Sequence, residues 1–464
     1  MKKRNLLVLP LVALFASCSP KAPAVYDTNV NLPSGGEAVS EEEKDTKAAS
    51  TLEETLGGLA DLKKFSLGGE ISIDFSGSTK SQYNDYVFNE TTGNYDEVAM
   101  SSNTDFSFKG KLKFSIMHDE TIEMPEEETP TYVSKLSLVF DGLNIRFNEK
   151  INGVARQAVS TDGLTFGVHY AYDKRNEKGR FLADLSHPSF KAFAIQAVNS
   201  IVDQRSETSE REKAATKLVI AQVLENFLVT QGGKFFADQD ELIAKIKELA
   251  APSSSELEPE GLLPFRAEDP SPLDMLSTLL EGDIVSNVVG MLSTYLPEQS
   301  SLESMVPSIL EALPFLFNQY KNDAGEVVQY GLGFNLDKNN AGEFIAMIMS
   351  MMNPTSSGVD SGTPISGMPV PTGESGIPDN VDFALGFAMM LGKTHGSQNF
   401  ALESVNLKVR VSVTGSVSVQ GAFGLELFYG EQVSDLVGDP ARYTIDAIEL
   451  IEALNPKPSE NQGE

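Results

Sequence analysis

Between Ile71 and Leu185 the apolar side chains recur at every second residue, a period that only extended chain with one covered face can satisfy. The clearest run sets Phe106, Phe108, Leu112, Phe114 and Ile116 against Ser107, Lys109, Lys111, Lys113 and Ser115. One greasy face and one wet face predict antiparallel pairing, because parallel strands are buried on both sides and read as unbroken apolar runs. Asp141-Gly142 lies between two such runs, and a two-residue turn there would pair 140 with 143, 138 with 145 and 136 with 147 on one face. Asn152-Gly153 predicts a second turn, with Glu149 opposite Arg156. Phe166, Val168, Tyr170 and Tyr172 continue the alternation, and a loop over 174–179 leads to Phe181, Ala183 and Leu185.

The period then changes. Residues 190–202, 216–229 and 241–249 carry apolar positions at helical spacing, with Pro188 and Asp240 as helix starts. A Ser-, Pro- and Glu-rich loop over 252–270 precedes a second helical group at 273–296 and 302–317, bounded by Pro297, Pro307 and Pro314. Strand alternation returns at Tyr330, Leu332, Phe334 and Leu336, followed by a short apolar helix holding Phe344, Met347 and Met351. Residues 353–378 contain five Pro, five Gly and five Ser, which fits a loop and not a core element. Three more long strands follow, marked by Phe383, Leu385 and Phe387, by the valines from Val405 to Val413, and by Phe423, Leu425 and Leu427. A helix over 447–454 precedes a polar tail at 456–464. The strings from Gly167 to Phe181 and from Gly331 to Phe344 are alike, through either duplication or convergent turn chemistry. The expected fold is α+β over 59–455: a large, curved antiparallel sheet with helices covering one face and the other face solvated. It is strand-rich at 65–187, helical at 188–320 and mixed at 327–455. At the level of pattern this resembles the half-barrel of periplasmic lipoprotein carriers and related lipid-binding lipoproteins.

At the N-terminus, Lys2, Lys3 and Arg4 precede an apolar run from Leu6 to Phe15 and the small residues Ala16 and Ser17 before Cys18. The run is about half the roughly 20 residues needed to span a bilayer. Residues 1–17 with Cys18 resemble the type II signal peptide of bacterial lipoproteins, although Phe15 stands where Leu is usual. The resemblance implies that Cys18, the chain's only cysteine, is lipidated as the first mature residue and anchors the protein outside the cytoplasmic membrane, in the periplasm or at the cell surface. With no second cysteine, no disulfide can form. The composition from Ser19 to Gly58 is rich in Pro, Ala, Ser, Gly and Glu, so 18–58 reads as a lipidated cysteine on a flexible tether reaching on the order of 35 Å.

Chemistry is conspicuous mainly by exclusion. A net charge of −30 excludes a phosphate backbone as partner. His118, His169, His187 and His395 are far apart in sequence, none pairs at zinc-helix spacing, and no nucleophile elbow, phosphate loop or dinucleotide fingerprint is present. Asp337, Asn339 and Gly342 begin like a calcium loop, but Ala341 and Ile348 stand where ligands are required. The acids Glu120, Glu123 and Glu126 to Glu128 read as a solvated hairpin tip. These readings predict no catalytic residue, metal or cofactor. Met347, Met349, Met351 and Met352 crowd six residues, as a core helix or as a ligand-lining one, since methionine surfaces adapt to ligands of varied shape. The expected function is a non-enzymatic, membrane-anchored lipoprotein binding a lipid or other apolar ligand through Phe344, Met347 and Met351. The alternative is a surface interaction lipoprotein with a solid core and no ligand.

Overall fold

The structure, a computed structural model, describes residues 26–57, 64–89, 94–123, 130–203, 208–250, 282–287, 310, 314–342, 380–393 and 400–454. Its centre is one α+β sheet of 14 strands. In chain order these are β1 (Glu37–Ala38), β2 (Lys64–Asn89), β3 (Asn94–Asp119), β4 (Tyr132–Ile151), β5 (Val154–Ser160), β6 (Leu164–Asp173), β7 (Lys178–Asp184) and β8 (Lys234–Asp238). Then follow β9 (Leu316–Lys321), β10 (Val327–Asp337), β11 (Val381–Lys393), β12 (Phe400–Val413), β13 (Val417–Tyr429) and β14 (Ile445–Asp446). They lie side by side in the order β1-β9-β10-β11-β12-β13-β2-β3-β4-β6-β7-β8-β14, with β5 paired to β4 off this path. Every pairing is antiparallel except that of β14 with β8. The sheet is curved and does not close.

Pairing carries the alternation across strands, so the two faces can be read by register. Leu425, Ile71, Leu112, Phe140 and Phe166 form one continuous row across β13, β2, β3, β4 and β6. The helices pack on this face: α1 (Glu41–Gly57), α2 (Pro188–Asp203), α3 (Glu210–Glu225), α4 (Gln239–Ala250) and α5 (Ala447–Leu454). Ser209 caps α3 by accepting from the Glu212 amide while the Glu212 carboxylate accepts from the Ser209 amide, a reciprocal cap that fixes where the helix begins. Two cores result. One gathers Val39, Ala48, Phe315, Phe317, Leu332, Phe334 and Leu336 under α1. The other gathers Leu224, Phe227, Leu228, Phe235 and Ile445 with side chains of α2, α3 and α5.

Four sequence expectations are corrected. Asp141-Gly142 is not a hairpin turn, because β4 runs through it: Phe140 pairs with Phe166 and Leu143 with Leu164. The dipeptide is a bulge, one extra residue relative to both neighbouring strands, with Gly142 at φ +65° supplying the left-handed conformation the bulge requires. Asn152-Gly153 is a turn, with φ +50° and +79°, yet Glu149 pairs with Gln157 instead of Arg156 because the register shifts beside it. The end of the helix expected at 302–317 is instead strand β9. The tether reading of 18–58 fails over 26–57, where the chain is packed on both faces of the sheet.

Residues 26–33 lie across the face opposite the helices. Tyr26 O accepts from Arg410 Nη1 at 3.0 Å, Val30 N donates to Asn335 Oδ1 at 2.9 Å, and Pro33 O accepts from the Tyr320 hydroxyl at 2.9 Å. Gly331, Gly333 and Gly386 make the room, since a Cβ on Gly386 would sit 1.9 Å from Thr28 O. The chain then pairs as β1 with edge strand β9, and α1 turns onto the helix face with Ala48 fully buried. The C-terminus repeats the manoeuvre at the opposite edge. Val433, Val437 and Tyr443 cover Gly68, Leu182 and Phe236, β14 pairs with edge strand β8, and α5 joins the second core. The face expected to be solvated is therefore covered at both flanks, leaving its centre open.

Candidate functional site

Three rows of side chains cross the helix-bearing face at the middle of the sheet. The first ends in Phe140 and Phe166, stacked at 4.6 Å, with Phe190 of α2 leaning on Phe166 at 5.7 Å. The third runs Leu67, Ile116, Leu136, Tyr170, Phe181 and is covered by Ile284 and Val285 of a short helical turn at 284–287. Between them lies the second row, Leu427, Gly69, Phe114, Leu138, Val168 and Ala183. Leu138 and Val168 stand directly opposite each other and remain 36% and 40% exposed. Gly69 and Ala183 keep the row low, and the Phe114 ring lies over Gly69, 2.8 Å from where a Cβ would stand. An apolar stripe between two covered flanks is what a chain-like apolar ligand would lie against.

Beside this stripe the fold assembles polar groups that are distant in sequence. His118 Nδ1 lies 2.8 Å from Ser134 Oγ, and Ser134 donates to the Asp283 carboxylate. The Ser134 hydroxyl is fully buried and its proton is committed to Asp283, so the trio pins the 284–287 turn to β3 and β4 and offers no activated nucleophile. Tyr170 reinforces the same attachment: its hydroxyl lies 2.9 Å from Gly282 O and accepts from the Ile284 amide at 3.3 Å, and burial pushes its pKa well above the usual phenol range. Sequence spacing hid this network, because 149 residues separate Ser134 from Asp283.

On the opposite face His169 is 3% exposed, pairs in register with Ser137 and meets the Tyr443 ring at 5.9 Å. Burial holds its pKa below the ordinary 6.5, the nearby Asp184 and Asp435 opposing that shift and Lys234 adding to it. The unfolded chain therefore binds the imidazole proton first as pH falls, and stability drops from about pH 6.5 downward until the folded pKa is passed. His169→Gln should flatten urea midpoints between pH 7 and 5 relative to the parent; an unchanged slope would assign the loss to other groups.

The cavities walled by described residues include these two. One of about 180 Å³ is lined by Glu177, Lys178, Asp238, Asp240 and Glu241, the other of about 370 Å³ by Lys393, Glu403, Glu426 and Tyr429. Both are polar, unlike the stripe. Burial and the charge of Glu403 push the Tyr429 hydroxyl up to about 12. Among the described residues no cluster of acids, histidines or cysteine has the makings of a metal site, and Asp337 and Asn339 are spent on their own turn, Asn339 N donating to Asp337 Oδ1 at 2.8 Å.

Cys18, Phe344, Met347 and Met351 lie outside the described residues, as do Glu126 to Glu128. Met389 is half-buried against the first core, whereas Met390 faces the N-terminal segment beside Gly331. No described helix is long and apolar enough to cross a membrane. The chain matches no protein family model, no curated protein and no solved structure.

Proposed function

We propose that the protein is a non-enzymatic, extracytoplasmic lipoprotein, held to a membrane through Cys18, that binds a lipid or similar apolar ligand on the helix-bearing face. The observation that carries the ligand reading is the exposed Leu138 and Val168 pair, set in an apolar row between flanks that are covered. An apolar ligand laid along this row would remove both side chains from water at about 25 cal/mol per Å². Phe344, Met347 and Met351 are proposed as further lining. The leader pattern before Cys18 supports the anchor.

Native mass spectrometry of protein extracted from cells tests the ligand, with a co-purifying lipid expected. Val168→Lys should abolish that adduct while changing stability by no more than about 0.5 kcal/mol, because the position is a surface one. A lipid adduct that survives the lysine overturns this location. Cys18→Ala should leave the protein unprocessed or release it from membranes; unchanged detergent partitioning would refute the anchor.

A second reading, a surface interaction protein, draws on a different feature. β13 pairs with β2 only as far as Thr79 and β4 with β3 only from Ser102, so residues 80–89 and 94–101 project as a two-stranded arm. Tyr83, Tyr86 and Tyr95 are exposed on it, and aromatic residues are enriched where proteins meet.

A further inference from the structure

The N-terminal segment fixes where an anchor at Cys18 must emerge. Its described part begins at Tyr26, above the centre of the sheet. There Tyr26 O accepts from Arg410 of β12 and Asn29 O accepts from Lys408 Nζ at 3.2 Å, and the Tyr26 ring feels the charges of Asp74 on β2 and Lys109 on β3. From Cys18 to Tyr26 is eight residue steps, which span at most about 28 Å when fully extended. A sheet of this order is about 60 Å wide at 4.8 Å per strand, so the anchor lies within about half that width of Tyr26, which itself sits on the face opposite the helices.

The surface at that place differs electrostatically from the rest of a chain with net charge −30. Between the two terminal segments, cations and carboxylates on this face meet in pairs: Lys109 with Asp74 at 2.7 Å, Lys111 with Glu70 at 2.5 Å, Lys113 with Asp141 at 3.0 Å and Arg410 with Asp382 at 3.0 Å. Glu426, beside Glu70, adds one more carboxylate and Lys408 one more cation, so this patch is close to neutral and the acidic excess resides elsewhere. A negative membrane surface repels this balanced patch least, and its lysines can be drawn toward headgroup phosphates over a few ångströms.

We propose that this open centre of the sheet, around Ser72, Lys109 and Lys111, lies against the headgroups of the bilayer that holds the anchor, so that the helix-bearing face and its apolar stripe look away from the membrane. The inference rests on lipidation of Cys18. Because Cys18 is the only cysteine and its thiol would carry the lipid, any introduced cysteine is uniquely labelled. Full-length protein made with its leader and reconstituted into vesicles with headgroup-spin-labelled lipid would carry a fluorophore at Ser72→Cys, at Ser81→Cys on the arm, or at Ala215→Cys on α3. Lys109→Cys repeats the first position in case Ser72→Cys folds poorly. Loss of most of the fluorescence at 72 and 109, with little loss at 81 and 215, is the expected result. Stronger quenching at 81 or at 215 overturns the orientation. The mass of the N-terminal peptide, read on the same sample, separates the two failures: lipidated Cys18 with quenching elsewhere refutes only the orientation, whereas an unmodified Cys18 removes the anchor and the orientation together.

Discussion

Phe317→Ala should destabilise the fold by about 3–5 kcal/mol, the range for emptying a buried aromatic site. Phe317 is 2% exposed, stacks on Tyr330 at 5.1 Å and packs with Val39, Ala48 and Leu310. Its carbonyl also accepts from the Val39 amide at 3.0 Å, so the cavity would open where α1 and β1 are held. The check is a lowered urea midpoint together with faster amide exchange in 41–52. Were this region a solvated tether, its amides would already exchange freely and the substitution would leave them unchanged.

Gly386→Val should be the most damaging of the glycine substitutions under the N-terminal segment. The new Cβ would meet backbone, Thr28 O at 1.9 Å, which cannot turn aside as a side chain can. Either residues 26–33 leave the sheet or β11 shifts, at about 1–3 kcal/mol or more for such overpacking. Limited proteolysis should then cut near residues 26–33 in the variant and spare the parent. Gly333→Ala is the milder control, because the nearest atoms there, two of the Leu32 side chain and Phe387 O, all stand 3.3 Å away.

The sheet was legible because alternation is a local signal that survives in every strand. Phe106 to Ile116 and Val405 to Val413 declare their faces without reference to any partner. What local signals could not supply was the partner. Asp141-Gly142 has hairpin chemistry, yet β3 pairs with β4 on both sides of it, and a continuous ladder outweighs one favourable turn. The N-terminal segment was misread for a related reason. Its Pro, Gly and Glu content resembles a linker, while the features that seat it, Gly331, Gly333 and Gly386, lie some 300 residues away and weaken a strand pattern when read alone. Val30, Leu32, Val39 and Ala48 were the nearer clue, since a solvated tether has no use for apolar residues at those positions. The polar trio of His118, Ser134 and Asp283 was illegible in the same way, being a product of topology.

The docking of the first residues beside some of the last sets an order of events in time. Tyr26 and Arg410 are 384 positions apart, so the seat for the N-terminal segment does not exist until β10, β11 and β12 have been made and paired. The segment is made long before its seat and cannot be fully docked until β12 is in place. A chain cut short before β12 would lack Arg410 and Lys408, the groups that hold Tyr26 and Asn29, a built-in distinction between finished and unfinished molecules.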